Sequence, residues 1–422
     1  MIIRSFVLMV SLLCLTSCSG PIWPIPLLAK SYVHRGISRQ VKGDLNGAMD
    51  DYNYAIALDP HCVSAFSNRA NAKLNKGDFD GAIGDATQAV NLDPKNAYAY
   101  GVRANAKSKK GDFDGVLADC ARALELDPND VYAFDQRSYV RSMQGDLEGA
   151  TADCNRALEL DSKDVYAYHE RGCVRSIKGD YDGAIADANQ ALNLDPNDAY
   201  AYAVRGYARS NRGDMDGAIA DLTLTLNLDP KEAYAYGVRA NFRKNRGDTD
   251  GAISDYNCAL ELDPNDAASW KGLGKAQFEK RNWPQALAAF RRFCNLDSKD
   301  AYPRVFIWVI RARLGEGKAA NEELATFIEK RPAGTPEEWV AKVASFLLDK
   351  ISQEDLFAAA NSSDFQKESG QRCEMWFYAG MKKLFKGDET AATDDFRHCL
   401  ATSETTFAEY RFAQAELRAL GR

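Results

Sequence analysis

The chain has 422 residues, of which 45% are hydrophobic and 27% charged, and its formal net charge is −7 at pH 7. This composition is typical of a packed globular or repeat protein and excludes collagen-like and disordered chains. Acidic residues outnumber basic ones, 60 to 53, and the two signs are interleaved, so the sequence does not predict binding to nucleic acid.

Residues 1–18 have the layout of an export signal. Arg4 precedes an apolar run from Phe6 to Leu15, and small residues follow. The run is too short for a permanent membrane helix, which needs about 20 apolar residues. The sequence LTSC at 15–18 resembles the lipobox of bacterial lipoproteins. That resemblance implies cleavage before Cys18 and its modification with a lipid, whereas an ordinary signal peptide is the alternative.

Residues 19–30 are predicted to form a tether between the lipid and the folded part. Pro21, Pro24 and Pro26 disfavour helix in this segment. Ser19 stands where many lipoproteins retained at the inner membrane carry Asp. The resemblance to lipoproteins therefore implies a periplasm-facing protein of the bacterial cell envelope, anchored preferentially to the outer membrane.

Residues 29–300 divide into eight units of 34 residues, and the first seven have a Gly-Asp pair near their centre. Position 4 of the unit is aromatic in all eight, and position 8 is always Gly, Ala or Ser. This period and these residues resemble the tetratricopeptide repeat family. The resemblance implies an all-α fold, a right-handed superhelical solenoid of helix-turn-helix repeats with a divergent helical C-terminal cap.

Each unit also contains signals for the ends of its helices. In the third unit, Asp93 is predicted to cap the first helix, with Pro94 in its first turn. Gly111 is predicted to end that helix, and Asp112 to cap the second one.

Position 7 of the unit is Arg and position 23 is Asp in seven of the eight units. The eighth unit carries Leu273 and Ala289 there, so both are lost together. This joint loss predicts structural ion pairs between the two helices of a unit, among them Arg137 with Asp153 and Arg171 with Asp187. A ladder of ligand-binding charges is the functional alternative.

Positions 2, 9 and 13 of the first helix share one face, which lines the concave groove in the family that the repeats resemble. Tyr and Asn side chains on this face suit an extended peptide. The predicted groove residues are Tyr98, Asn105, Tyr132, Tyr139, Tyr166, Tyr200, Tyr207, Tyr234 and Asn241, with His169 at position 5. Packing of the tyrosines between repeats remains an alternative.

After residue 300 the repeat becomes irregular. Residues 301–334 are predicted to form a divergent ninth repeat, 335–372 connecting helices, and 373–422 a final repeat-like hairpin and a capping helix. The C-terminal part contains, in this order, EEWVAKVASFLLDKISQEDL, FYAGMKKLFKGDETAATDDF and FAEYRFAQAELRALG. Over about 120 residues this order resembles the NlpI-type bacterial lipoproteins. That resemblance implies an adaptor for an envelope protease or cell-wall hydrolases and allows a homodimer; the sequence alone leaves the oligomeric state and the partners open.

The sequence offers no cluster of residues for catalysis. Its four histidines lie far apart, without the spacing of metal ligands. We therefore predict a non-enzymatic scaffold without metal or cofactor that binds proteins or extended peptides, and that contacts the membrane only through its lipid. A module that binds a glycan or peptidoglycan strand is the alternative. Cys373 and Cys399 are a candidate disulfide, because they lie on facing helices of the last hairpin.

Overall fold

A computed structural model describes residues 25–330 and 338–422, and within these residues the chain is all-α, with 23 helices and no strand. Successive helices pack in pairs that follow the 34-residue units. The predicted signal segment and Cys18 lie outside the described residues. None of the described helices is long and apolar enough to cross a membrane.

The chain divides into two compact units, the first ending at Asn197 and the second beginning at Asp198. The first unit contains α1 Ile25–Val41, α2 Leu45–Leu58, α3 Val63–Asn75, α4 Phe79–Leu92, α5 Ala97–Lys109, α6 Phe113–Leu126, α7 Val131–Met143, α8 Leu147–Leu160, α9 Val165–Ile177 and α10 Tyr181–Leu194. They form five helix pairs in the order of the chain.

The second unit contains four further pairs and then the C-terminal helices. The pairs are α11 Ala199–Asn211, α12 Met215–Leu228, α13 Ala233–Asn245, α14 Thr249–Leu262, α15 Ala267–Glu279, α16 Trp283–Leu296, α17 Tyr302–Arg313 and α18 Gly317–Glu329. The C-terminal helices are α19 Glu338–Leu347, α20 Gln353–Ala359, α21 Phe365–Phe385, α22 Glu389–Ala401 and α23 Ala408–Ala419.

The turn inside each of the first seven pairs follows from its Gly-Asp sequence, whereas Arg281, with φ +61°, and Asn282 form the turn between α15 and α16. In the third repeat Gly111 has φ +76°, which a residue with a Cβ rarely adopts. Asp112 then accepts a hydrogen bond at 3.0 Å from the backbone N–H of Gly115 and caps α6. The predicted cap and turn are thus where the sequence placed them.

The turn between pairs differs from the prediction. Asp93 does not cap α5; it ends α4 in an extended conformation and accepts a hydrogen bond from Lys95 N–H two residues on. The helix begins only at Ala97, and its cap is Asn96, which accepts from Ala99 N–H at 3.0 Å. Because the carboxylate of Asp93 is used in this local turn, Pro94 lies in the turn rather than in the helix.

The first helix also begins earlier than predicted. It starts at Ile25, so residues 25–30 of the predicted tether are helical. Pro26 is compatible with this start because the first turn of a helix has no intrahelical acceptors for its N–H groups. In the same way α21 begins at Phe365, within the segment predicted as connecting helices, and continues through Cys373.

The largest hydrophobic core lies in the second unit, under the C-terminal helices. Phe278 at the end of α15 packs on Phe412 of α23, with ring centroids 4.1 Å apart. Trp339 of α19 donates from Nε1 to the buried Glu374 of α21 at 2.8 Å. The capping helix α23 therefore packs back onto the first helix of the eighth repeat.

Candidate functional site

The tyrosines at position 2 form a recurring feature on the first helices of the repeats. Their exposed fractions range from 40% for Tyr166 to 72% for Tyr234, with Tyr98, Tyr132 and Tyr200 in between. A large amphipathic side chain that is half exposed in every one of five repeats provides apolar area and a polar tip together. These rings are the predicted groove residues that the structure keeps accessible.

The tyrosine hydroxyls also connect neighbouring repeats of the first unit. Asn71 donates from Nδ2 to the Tyr98 hydroxyl at 2.6 Å, and Asn105 donates in the same way to Tyr132. Burial of the hydroxyl raises the pKa of Tyr132 to about 12. The two sequence alternatives for the tyrosines are therefore compatible, because the hydroxyl is used in packing while part of the ring surface faces solvent.

An acidic cluster accompanies the tyrosines in the fourth and fifth repeats. Asp135 of α7 is only 7% exposed, and Glu170 of α9 is also buried. Burial, followed by the charge of Asp164, raises the pKa of Asp135 to about 8. The charges of Glu170 and Asp135 also act on Tyr166, whose pKa is raised chiefly by burial.

Asp135 and Asp164 have an incomplete set of hydrogen bonds. Asp164 caps α9 with Oδ1, which accepts from Tyr166 N–H at 3.0 Å. Neither Oδ1 of Asp135 nor Oδ2 of Asp164 has a hydrogen-bond partner within the described part of the chain. The raised pKa of Asp135 favours its protonated form beside Asp164. Sequence reasoning missed this cluster, although Asp at a groove position was a visible signal.

The remaining predicted groove residues have different surroundings. Tyr139 and His169 are partly exposed on α7 and α9, and Tyr207 is 45% exposed on α11. Asn241 uses its amide within the chain: Nδ2 donates to Gly237 O at 3.0 Å, and Oδ1 accepts from the Tyr256 hydroxyl at 2.7 Å. The amide of Asn241 is thus less suited to a ligand than the sequence suggested.

In the second unit, α23 covers part of the face that the first helices of the seventh and eighth repeats present. Arg411 donates from Nη1 to Lys244 O at 3.1 Å and from Nη2 to Asn245 Oδ1 at 3.2 Å. Arg313 Nη2 forms an ion pair with Glu416 Oε1 at 2.7 Å. The chain's own C-terminal helix therefore contacts the ends of these first helices, and no feature of the sequence predicted this packing.

The Arg and Asp side chains at positions 7 and 23 lie in contact in all seven units that carry them. Arg137 donates to Asp153 from Nε at 2.8 Å and from Nη2 at 2.6 Å, and Arg171 donates to Asp187 at 3.0 and 2.7 Å. The shortest distance is 2.5 to 2.7 Å in Arg35–Asp51, Arg69–Asp85, Arg103–Asp119, Arg205–Asp221 and Arg239–Asp255. The partners are buried or half-buried, which favours a structural role.

A second cation, at position 11, completes each ionic set. Arg141 donates to Asp153 Oδ2 at 2.8 Å, and its Nη1 also contacts Gly149 O at 3.3 Å. The same place is taken by Arg39, Lys73, Lys107, Arg175, Arg209 and Arg243, at 2.7 to 3.1 Å. Sequence reasoning missed these residues, although position 11 is basic in the same seven units.

The ionic set also contacts the aromatic residue at position 4. The Arg137 guanidinium lies over the Phe134 ring, 5.4 Å from its centroid, and the Arg171 guanidinium lies 5.6 Å from the Tyr168 centroid. Arg171 Nη1 further donates at 2.7 Å to Asn155 of the preceding repeat. Each ionic set thus links the two helices of one repeat, and some sets also link two neighbouring repeats.

Cys373 and Cys399 lie in the buried core of the last hairpin. The structure records both as free thiols, with 3.4 Å between their sulfur atoms. The hydrogen bond between the two thiols and burial raise the pKa of Cys399. Throughout residues 25–330 and 338–422, no three His, Cys, Asp or Glu side chains are grouped so as to hold a metal ion.

These repeated helix pairs match known family models. Models described as tetratricopeptide repeat match residues 67–131 and 165–198, and one described as TPR repeat matches residues 243–281. The matched segments are tetratricopeptide repeats. Repeats of this kind form scaffolds for binding other proteins, in agreement with the accessible tyrosine face.

One curated relative of this tetratricopeptide repeat chain is the lipoprotein NlpI homolog of Haemophilus influenzae. The two are 33% identical over 138 residues, which is 31% of this chain and 41% of the relative. The match therefore spans less than half of the relative's length. It supports the resemblance to NlpI-type lipoproteins.

Solved tetratricopeptide repeat structures resemble parts of the chain at low sequence identity. A tetratricopeptide repeat protein from Parabacteroides merdae is 20% identical, with a TM-score of 0.48, and the match covers 58% of this chain and 97% of that one. The Cut9–Hcn1 hetero-tetramer of the APC/C gives 16% identity and a TM-score of 0.49, covering 78% and 76%.

Proposed function

We propose that the chain is a non-enzymatic scaffold that binds other proteins through the tyrosine-bearing face of its first helices. The half-exposed Tyr98, Tyr132 and Tyr166 of the first compact unit are the observation that carries the proposal. Tyr98 and Tyr132 are held by Asn71 and Asn105, so a partner meets rings that are already oriented. Oriented rings lose little entropy on binding, which favours recognition of an extended segment.

The proposal includes attachment to the envelope through a lipid on Cys18, with the repeats facing the periplasm. The lipobox-like LTSC and the relative named as a lipoprotein support this attachment. A chain held at a membrane raises the local concentration of whatever it binds, which suits an adaptor between envelope proteins such as proteases or cell-wall hydrolases.

Site-specific photocrosslinking tests the binding face. We would place a photoreactive phenylalanine analogue at Tyr132 or Tyr166 and compare it with Tyr54, which is 51% exposed but lies on a second helix. The expected result is protein adducts from the two groove positions and few from Tyr54 in intact cell envelopes. Equal labelling from all three positions would refute the groove as the binding face.

A groove variant and a lipid variant complete the test. Changing Tyr98, Tyr132 and Tyr166 to Ala should abolish retention of the crosslinked partner, whereas Tyr54→Ala should not. If purified peptidoglycan is retained instead and no protein is, the chain is a polymer-binding module. Metabolic labelling with an alkyne fatty acid should be lost in Cys18→Ser; unchanged labelling would exclude that anchor.

A further inference from the structure

A cavity of about 450 Å³ lies in the second unit, beside the C-terminal helix α23. Its walls come from the turn between α13 and α14, the end of α15 and one side of α23. This volume is within the range of small-molecule sites in proteins. None of the position-2 tyrosines lines this cavity.

Cations in the wall outnumber the acidic groups. Five basic residues line it, Lys244, Arg246, Lys280, Arg411 and Arg418, against three acidic ones, Asp248, Asp250 and Glu279. Asp216 pairs with Arg246 from outside the wall, which leaves a surplus of one positive charge. A positive surplus in a concave site attracts anions, because low-dielectric walls weaken the screening of charge.

The acidic residues of the wall already have other partners. Asp250 pairs with Lys280 at 3.0 Å, and Asp248 caps α14 by accepting from Gly251 N–H at 2.9 Å. Glu279 accepts a hydrogen bond at 3.1 Å from the Thr249 hydroxyl. Lys280 thus offsets the charge of Asp250, whereas Asp248 and Glu279 keep their charge while accepting these hydrogen bonds.

Three cations have no such partner. In the described parts of the chain, no carboxylate lies within ion-pair distance of Lys244, Arg411 or Arg418. Arg411 is fixed in the wall by its hydrogen bonds to Lys244 O and Asn245 Oδ1. Fixed guanidinium groups are well suited to bind the oxygens of phosphate or carboxylate.

Burial and neighbouring positive charges disfavour the protonated form of Lys244. Burial, followed by the charges of Lys275 and Arg411, lowers the pKa of Lys244 to about 8, and Lys271 acts in the same direction. Glu279 is the acidic group that opposes this shift. An anion in the cavity would offset the repulsion and keep the ammonium protonated.

We infer that this cavity is a binding site for a compact oxyanion with at least two negative charges, a phosphate or carboxylate compound, held by Lys244, Arg411 and Arg418. The site combines groups from the seventh repeat and from the C-terminal helix. A ligand there bridges α23 to the repeat and so stabilises the packing of this helix.

Calorimetric titration of the full chain in detergent tests the site, with inorganic pyrophosphate and citrate as probes at constant ionic strength and pH 7. At least one probe should bind at one site per chain. Arg418→Gln, at an exposed position, should weaken binding at least tenfold. Arg397→Gln is the matched control, because Arg397 is exposed on α22, outside the cavity wall, and should leave binding unchanged.

The results separate the possible ligands. Preference for pyrophosphate assigns a phosphate compound, and preference for citrate assigns a carboxylate compound. Binding of neither probe, or equal weakening by both arginine substitutions, would overturn the inference. Lys244→Met should remove binding and raise the melting temperature of the ligand-free chain; a lower melting temperature with unchanged binding would exclude Lys244 from the site.

Discussion

The guanidinium of Arg137 and the carboxylate of Asp153 meet through two parallel hydrogen bonds, from Nε at 2.8 Å and from Nη2 at 2.6 Å. Arg141 supplies a second cation to the same carboxylate at 2.8 Å. Asp153 is buried, whereas both arginines keep part of their surface in water. The carboxylate is therefore the member of the set whose charge depends most on its partners.

Because Asp153 is more buried than Arg137 and Arg141, removing each member of the set should change the stability by a different amount. Asp153→Ala should destabilise the chain by about 3 kcal/mol, the lower end of the range for breaking a buried ion pair, because the two arginines retain access to water. Arg137→Ala should cost less, since Arg141 still neutralises Asp153. Urea unfolding followed by circular dichroism measures both; a larger loss for Arg137→Ala would contradict this ranking.

The eighth repeat provides the control for this experiment. It carries Leu273, Gln277 and Ala289 at the positions of Arg137, Arg141 and Asp153. The triple variant Arg137→Leu, Arg141→Gln and Asp153→Ala should therefore recover much of the stability lost in Asp153→Ala. If the triple variant is the least stable of all, the three residues do not act as one set.

The buried Asp135 predicts a stability that depends on pH. Its pKa is about 8 in the folded chain and about 3.9 in an unfolded chain. Between these values the folded chain binds the extra proton, so stability from this residue falls as pH rises from 4 to 8. Asp135→Asn should therefore stabilise the chain more at pH 8.5 than at pH 5, because an amide carries no charge that burial could penalise at the higher pH.

Thermal melts at the two pH values test this expectation. Asp114→Asn, at an exposed position in the first turn of α6, is the matched control and should show no such difference. An equal shift for Asp135→Asn at pH 5 and pH 8.5 would show that Asp135 does not hold the proton.

Two helical glycines predict opposite effects of the same substitution. A Cβ on Gly274 would lie 2.7 Å from the Phe290 ring, whereas a Cβ on Gly101 would meet only Tyr132, at 3.7 Å. Gly274→Ala should destabilise by about 1–3 kcal/mol through overpacking. Gly101→Ala should stabilise by up to about 1 kcal/mol through helix propensity. Urea midpoints of the two variants check the difference, and a shared sign would refute the packing argument.

The sulfur atoms of Cys373 and Cys399 lie 3.4 Å apart. We therefore still predict a disulfide between them in the exported chain. Besides Cys14 and Cys18 the chain has eight cysteines. Unfolded, unreduced protein from the envelope should thus show six titratable thiols, and reduced protein eight. Cys373→Ser should show seven before reduction; eight thiols in the unreduced wild-type chain would exclude the bond.

The regular part of the fold was predictable because its signals are local. Gly111 and Asp112 form their turn and cap through neighbouring backbone groups, so the sequence alone indicates both. The ion pairs could be predicted for a different reason: Arg and Asp recur together at the positions of Arg137 and Asp153 in seven repeats. The prediction that Asp93 caps a helix was wrong because a carboxylate followed by Pro is equally compatible with a helix cap and with a local turn.

The features that escaped prediction depend on tertiary contacts. The contact of Arg411 with Lys244 joins residues 167 positions apart, and neither sequence neighbourhood indicates the other. The raised pKa of Asp135 likewise depends on its burial beside Asp164 of the next helix pair. The groove face was predicted from helical periodicity, but its coverage by α23 was not.

All members of an ionic set lie within one 34-residue unit, and this has a consequence for how such a chain changes in evolution. In-frame duplication or loss of a unit leaves no carboxylate of the set without its cation, as the internal pairing of Arg171, Arg175 and Asp187 illustrates. The eighth unit is different, because its Phe278 lies against Phe412. We therefore expect related chains to differ in the number of earlier repeats while the last one, with its C-terminal helix, is inherited as a single block.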